Sequence, residues 1–539
     1  MVFLFYTFIF LQAPARYLRV KLKKGDHDMS LIKVTNLTFS YEGSFDNIFD
    51  NVSFSIDTDW KLGFIGRNGK GKTTFLNILL GKYDYQGSII SDTCFGYFPY
   101  SISKEDEELT ASELIEKWKS DTEEWRVICE LSLLGLDADV LYRPLKTLSY
   151  GERTKVMLAV LFSGENDFLL IDEPTNHLDY DGREIIKKYL ASKKGFILVS
   201  HDRDLLDACI NHVLVLNRST IEVQSGNFSS WWENKERADS FAISENEKHK
   251  REIGKLKAAA DRSARWAEKN ENTKIGFDPV KEHDRNISTR AYIGAKTKKM
   301  QSRVKNTQER LQREISEKEG LLNDIETVTD LKLMPLVHHK DTLIECRDLS
   351  LRYKDSEKQV FEHLNLKLCN GDRLFLKGHN GCGKSSLIKA VLDKAGYNGE
   401  PKENNMIIEG DFTLASNLTI SYINQDTSHL AGSLKDYAEN NNVDFTLLLS
   451  LLRQLDFERN QFDKDMSDFS MGQKKKVLIA SSLIKPAHIY IWDEPLNYID
   501  VFSRMQLEKL IDTFKPTMIL VEHDERFREK VGTRTVEFS

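Results

Sequence analysis

Two octapeptides in this chain carry the residue types needed to hold a string of phosphates: Gly66-Arg67-Asn68-Gly69-Lys70-Gly71-Lys72-Thr73 and Gly378-His379-Asn380-Gly381-Cys382-Gly383-Lys384-Ser385. Both fit GxxxxGK[ST], in which glycines free backbone amides to ring phosphate oxygens and the lysine neutralises β/γ charge. The hydroxyls of Thr73 and Ser385 are placed for Mg²⁺, with Thr74 and Ser386 beside them. About a hundred residues on, an apolar run, Phe168-Leu169-Leu170-Ile171, ends in Asp172-Glu173, and the second series has Asp493-Glu494. The aspartates Asp172 and Asp493 suit a bound Mg²⁺, and the glutamates Glu173 and Glu494 suit polarisation of an attacking water. A histidine closes each series, His201 after the strand-like Phe196–Val199 and His523 in the second. Each is a γ-phosphate contact or a satisfied core residue, and the preceding motifs favour the contact. Together these groups are the parts of a Mg²⁺-dependent nucleoside triphosphate hydrolase.

The elements that must position them are equally legible. Leu62–Ile65 reads as a strand entering the first loop, and Thr74–Leu80 as the helix leaving it. Between loop and acids lies Leu148-Ser149-Tyr150-Gly151-Glu152, with Ser149 as the N-cap of a helix, and Phe469-Ser470-Met471-Gly472-Gln473 repeats it. The recurrence of the whole series marks an internal repeat, with about nine more residues between loop and serine in the second copy.

This Ser-x-Gly-Glu turn resembles the signature of ATP-binding cassette (ABC) ATPases, and the order of the four motifs is theirs. The resemblance implies an α/β fold with two tandem ABC-type P-loop ATPase domains, ATP and Mg²⁺ as cofactors, and an intramolecular cassette dimer that is otherwise monomeric. It also implies that each signature completes the opposite site. The Gly66–Thr73 loop would then face Ser470, Gly472 and Gln473, and the Gly378–Ser385 loop would face Ser149, Gly151 and Glu152. Tyr41 and Tyr353 resemble the family's adenine-stacking aromatic residue, with an ordinary surface tyrosine as the alternative. Gln425 matches the glutamine that contacts Mg²⁺, whereas the first copy has Tyr100 at that place. Leu496-Asn497-Tyr498-Ile499-Asp500 departs from Thr175-Asn176-His177-Leu178-Asp179, which allows unequal turnover at the two sites.

Length and composition bound the rest. The 539 residues suffice for about three domains. A net charge of −7 argues against a nucleic-acid-binding surface over the whole protein, and 40% hydrophobic content is ordinary. The six cysteines form no CxxC pair, which argues against zinc or a disulfide framework and fits a cytoplasmic protein. The apolar N-terminal run is too short for a bilayer, which needs roughly 20 residues, and no basic residue precedes it. Residues 1–28 therefore read as an over-extended start before Met29.

Between the copies lies a polar segment. Trp231 to about Asn270 has no proline and sets Ile253, Leu256, Ala260, Ala264 and Ala267 on one helical face. Helical periodicity resumes from about Lys296 to Asp330, so the expectation is an antiparallel helical hairpin with arms of roughly 60 Å. From Lys248 to Arg313 the chain has about 19 Lys and Arg against about 8 Asp and Glu, a bias suited to a phosphate backbone, most simply RNA. A solvated helix face is the plainer alternative. Arg285, Arg290, Tyr292, Lys296, Lys298 and Lys299 cluster at the tip.

Fused twin cassettes with such a linker resemble ABC-F proteins. Ser40-Tyr41-Glu42-Gly43, Gly96-Tyr97-Phe98-Pro99-Tyr100 and Arg290-Ala291-Tyr292-Ile293-Gly294 resemble their antibiotic-resistance branch, of Lsa and Vga type. The domains expected are 29–228, a linker at 229–341, and 342–539. The resemblance implies binding at the ribosomal exit (E) site, with the tip at 23S rRNA near the peptidyl-transferase centre and P-site tRNA. It further implies resistance to lincosamides, streptogramin A compounds and pleuromutilins. Competing readings are a housekeeping translation factor of the same family, the ATPase of an exporter with a separate membrane protein, and a DNA-maintenance ATPase.

Overall fold

The structure is a computed structural model that describes residues 31–41, 47–120, 122–164, 167–176, 178–217, 220–272, 335–354, 358–397, 405–457 and 461–538, with 302, 305, 306 and 310 besides. The expected start segment 1–28, His177, the six tip residues and, apart from those four positions, the second linker helix lie outside the described residues.

Two compact units are present, one holding both copies of the repeat and the other the segment Ser230–Thr329. In the first copy, strands β1 (Leu31–Phe39), β2 (Phe49–Asp57) and β4 (Gln86–Ile90) form an antiparallel sheet in the order β2-β1-β4. Strands β3 (Lys61–Gly66), β5 (Cys94–Phe98), β6 (Asp167–Asp172), β7 (Phe196–Val199), β8 (His212–Leu216) and β9 (Ile221–Ser225) form a second sheet, ordered β5-β6-β7-β3-β8-β9. All of its pairs are parallel except β8 with β9. The central strands are apolar along their length because helices cover parallel sheets on both faces. Phe49, Phe64 and Phe75 pack edge to face at the centre of this copy.

The second copy repeats the plan. Strands β10 (Thr342–Tyr353), β11 (Gln359–Cys369) and β13 (Met406–Leu414) are antiparallel in the order β11-β10-β13. Strands β12 (Arg373–Lys377), β14 (Ile420–Ile423), β15 (Ile489–Asp493), β16 (Met518–Val521) and β17 (Arg534–Glu537) form a parallel sheet, ordered β14-β15-β16-β12-β17. The tandem α/β architecture expected from the motifs is the architecture observed.

In both copies the site residues sit at the carboxyl ends of adjacent parallel strands, where such sheets open a crevice for ligands. Register makes the copies superimposable in logic: Phe98 pairs with Ile171 as Ile423 pairs with Trp492. Tyr100 and Gln425 therefore follow their strands at the same step. In the other unit, the described segment is helical, part of one helix that spans Phe228–Asn272, 45 residues. No helix among the described residues is long and apolar enough to cross a membrane.

Candidate functional site

The first phosphate loop leaves β3 and enters the helix Lys72–Leu79 through Gly71, whose φ of 107° a side chain would oppose. A Cβ there would also lie 2.5 Å from Ile48. No side chain caps this helix, so its amides and dipole face the loop as an anion cradle. Gly383 plays the same part for Lys384–Ala395, with φ of 100°. Both lysines fold back over their own loops. Lys72 Nζ donates to Gly66 O at 2.6 Å and Asn68 Oδ1 at 3.2 Å, and Lys384 Nζ donates to the carbonyls of Gly378 and His379 at 2.7 and 2.8 Å.

Each loop hydroxyl meets its aspartate. Thr73 Oγ1 donates to Asp172 Oδ2 at 3.1 Å, and Ser385 Oγ to Asp493 Oδ2 at 3.0 Å. Gln425 Nε2 adds a contact to Asp493 Oδ1 at 3.4 Å. A hydroxyl and a carboxylate converging at a phosphate cradle, with an amide side chain beside them, supply the hard oxygen donors that Mg²⁺ takes beside a nucleotide. In the first copy Tyr100 instead stacks on Trp118, 4.9 Å between centroids, and Asp172 receives the phenol of Tyr97 at 3.3 Å. The glutamine's place at the aspartate is thus taken by a tyrosine three residues earlier than the motif suggests.

The glutamates hold a conformation that periodicity does not reveal. Glu173 and Glu494 adopt φ of 53° and 48° at the strand ends, a region that costs of order 1–3 kcal/mol for a residue with a Cβ. Burial pushes Glu173 up to about 8, the neighbouring Asp172 charge adds to this, and Lys72 and Arg504 oppose it. His201 Nε2 lies 3.2 Å from Glu173 Oε1, and His523 Nε2 lies 3.8 Å from Glu494 Oε1. Burial, followed by the charges of Lys72 and Arg504, holds His201 well below the usual imidazole range, so it is neutral. Among the described residues, the buried Glu173 Oε1 and His523 Nε2 have no hydrogen-bond partner, which leaves both able to take a polar ligand atom. A neutral histidine beside a buried carboxyl can hold a phosphate oxygen while the carboxyl orients a nucleophilic water.

The aromatic pair is matched too. Tyr41 Oη bonds Thr74 Oγ1 at 2.7 Å, and Tyr353 Oη bonds Ser386 Oγ at 2.9 Å, each beside its loop. Ser149 and Ser470 start the helices Tyr150–Phe162 and Met471–Ile484 through reciprocal capping boxes with Glu152 and Gln473. Those two side chains are committed to the serine amides, at 2.7 and 2.8 Å.

The copies meet through the same residues. Asn68 Nδ2 donates to Tyr498 O at 2.8 Å, and a Cβ on Gly472 would stand 3.3 Å from that nitrogen, so the first loop sits against the second signature. On the other side, His379 lies 3.1 Å from Asp181 and Lys377 caps the ring of Tyr180 at 4.8 Å. The second loop thus meets the chain just after Asp179. Among the described residues, the hydrogen bonds between Ser149 and Glu152, and that of Glu152 with Arg143, stay within their own copy. Motif reading missed the charges at this seam. Arg203 is buried and grips Glu508 with both nitrogens, one of them at 3.1 Å, and Arg526 reaches Asp204 at 2.6 Å and also Asp207. Aligned on the histidines, Arg203 stands where the repeat has Glu525, which pairs with Arg528 inside its own copy.

With this geometry in hand, similarity to known proteins was compared. The family described as "ABC transporter" matches residues 49–176 and 361–497. The chain is 25% identical over 514 residues to the ribosome protection protein VmlR of Bacillus subtilis (strain 168), covering 93% of this chain and 85% of VmlR. It is 23% identical over 562 residues to ABC transporter F family member 2 of Arabidopsis thaliana, covering 94% and 76%. Among solved structures, the archaeal ribosome recycling factor aABCE1, in complex with stalk protein aP1, superimposes with a TM-score of 0.58 at 18% identity, over 93% of this chain and 87% of that one. That last likeness speaks for the fold.

Proposed function

Because this chain belongs to the ABC-F ATPases, with two ABC domains that hydrolyse ATP in one polypeptide, we propose that it spends that hydrolysis on protecting the ribosome from drugs. The observation that carries the reading is the reach of the VmlR likeness. It spans 93% of the chain, so it runs through the segment between the copies as well as through both cassettes. A largely polar helix of 45 residues leaving the first copy, about 65 Å long, is the arm such a reading needs.

In this reading Glu173 and Glu494 orient the attacking waters, and His201 and His523 hold the γ-phosphate side. Lys72 and Lys384 turn from their own carbonyls to the phosphates. Thr73 with Asp172, and Ser385 with Asp493 and Gln425, hold the metal. Mg²⁺-ATP, when bound, would supply the electrophilic phosphorus and a countercharge to Asp172 and Asp493, whose carboxyls burial pushes up. Closure at the seam would set the angle of the linker, whose tip residues Arg285, Arg290, Tyr292, Lys296, Lys298 and Lys299 would meet 23S rRNA near the peptidyl-transferase centre from the exit site, beside P-site tRNA. The drugs displaced would be lincosamides, streptogramin A compounds and pleuromutilins.

The test is in vitro translation titrated with a pleuromutilin or a lincosamide, with intact protein and with Asp278–Ile293 replaced by a short Gly-Ser turn. The shortened protein should hydrolyse ATP at the intact rate and give no protection. Equal protection by both would remove the tip as effector, and protection by neither would return the chain to a housekeeping role in translation.

A further inference from the structure

Three elements far apart in the chain meet on one carboxylate. Asp207 lies in the helix Arg203–Cys209, which starts two residues after His201. Its Oδ1 accepts from the amide of Ser229 at 2.7 Å, and its Oδ2 accepts from the hydroxyl of the same serine. Ser229 is the second residue of the helix Phe228–Asn272 and the last that belongs to the unit holding the first copy. Asp207 therefore holds one of the first-turn amides that a helix leaves without an intrahelical partner, and its charge stands at the helix's positive end. The third element comes from the other copy. Arg526, in the helix Glu525–Val531 that follows His523, binds Asp207 Oδ2 through Nη2 and donates from Nη1 to Ser229 Oγ at 3.1 Å. Its Nε donates to Asp204 Oδ1 at 2.6 Å.

Asp204 stands three residues after His201 and Arg526 three after His523, so here a residue of one copy meets its own counterpart in the other. Between two copies of one fold, such a contact lies where they cross and belongs to neither nucleotide site alone. A guanidinium suits the place, because its planar donors engage two carboxylates and a hydroxyl in one fixed geometry, which a lysine ammonium does not. Arg526 is 30% exposed and Asp207 12%. Unlike Arg203 with Glu508, this contact can part and re-form without stranding a charge out of water.

We propose that Arg526 couples the cassette seam to the linker: by holding Asp207 and Ser229 together, it ties the first turn of the helix Phe228–Asn272 to the second copy as well as to the first. Nucleotide that draws the copies together keeps this clamp shut and the helix start ordered. When the copies part, Arg526 leaves, and Asp207 alone holds the turn. Arg526 touches no reacting atom, so its loss uncouples the linker without stopping hydrolysis. This deepens the reading above, in which closure sets the linker's angle, and supplies the residue that carries it.

The test uses the full chain carrying Glu173→Gln and Glu494→Gln as parent, so that ATP is bound without turnover, and reads hydrogen–deuterium exchange in the stretch Phe228–Lys235. ATP should slow exchange there about tenfold in the parent, and less than about twofold once Arg526→Met is added. Asp204→Asn removes a seam contact but leaves Asp207 and Ser229 engaged, and should keep the parent's response. Ser229→Ala leaves both Arg526 ion pairs in place and should lose roughly half of the response; it stands in should Arg526→Met fail to fold. No response to ATP in the parent, an undiminished response in Arg526→Met or Ser229→Ala, or an equal loss in Asp204→Asn would overturn the proposal. With both glutamates restored, Arg526→Met should hydrolyse ATP within about threefold of the unaltered chain, and a larger fall would make Arg526 part of a nucleotide site instead. Translation in the presence of a pleuromutilin is read separately. If the unaltered chain gives no protection while the exchange results hold, the ribosomal reading fails and the coupling stands.

Discussion

Glu173 couples the chemistry of the first site to the stability of the nucleotide-free protein. Its carboxyl is raised to about 8 by burial and by Asp172, against an ordinary value near 4.5. Between those values the folded chain keeps a proton that the unfolded chain releases, so stability falls as pH rises through that window. Glu173→Gln has no such proton. It should melt close to the parent near pH 5 and above it at pH 9, by up to a few kcal/mol, in thermal scans without nucleotide. A gap that stays constant with pH would mean that this carboxyl is ionised throughout. The same substitution, made together with Glu494→Gln, should leave ATP binding intact and slow hydrolysis by at least about 100-fold, as measured by phosphate release.

At the scale of elements, the seam holds ion pairs that are out of water, Arg203 with Glu508 foremost. Arg203, at the start of the helix Arg203–Cys209, and Glu508, in the helix Val501–Phe514, are both nearly inaccessible. Removing one partner strands the other, so Arg203→Ala should cost about 3–5 kcal/mol in urea unfolding. Arg203→Met with Glu508→Leu should recover most of that loss, since the desolvation cost goes with the pair. Equal losses in the single and double variants would show that packing, and not charge, holds the seam. The signature helices are held more lightly: Ser470→Ala removes one cap and should cost about 1 kcal/mol.

The whole molecule is where the two copies become two sites. Gly472 lies against Asn68 and the Tyr498 carbonyl, where a Cβ would stand 2.4 Å from that oxygen. Gly472→Ala must push the second signature off the first loop. Turnover should therefore fall in the Glu494→Gln background, which reports the first site, and change little in the Glu173→Gln background. The reverse pattern would mean that each loop is served by the signature of its own copy. At the same scale, a protein that binds ATP without hydrolysing it should stay closed. The doubly substituted Glu173→Gln, Glu494→Gln chain should sediment with ribosomes in ATP and be released without it, and indifference to nucleotide would count against the ribosome as its partner.

Much of this was legible from residue order alone, because phosphate chemistry is local. A glycine-rich loop needs the strand before it and the helix after it, all within about twenty residues, and an apolar strand ending in two acids announces its own burial. Motif order therefore determined the α/β class, the repeat and the residues Lys72, Lys384, Asp172, Asp493, Glu173 and Glu494. What only the tertiary structure decided depends on residues hundreds of positions apart or on backbone angles. The left-handed turn at Glu173 and Glu494 leaves no mark on periodicity, since any residue at a strand end reads alike. Tyr97 reaches Asp172 while Tyr100, at the glutamine's place, stacks on Trp118, because strand register, not spacing from a motif, sets which ring reaches the carboxylate. Arg203 with Glu508, and the buried Lys475 and Glu522, look like ordinary surface charges in a chain where 29% of residues are charged. Only folding takes them out of water, and a charge acquires its meaning from what is left to solvate it.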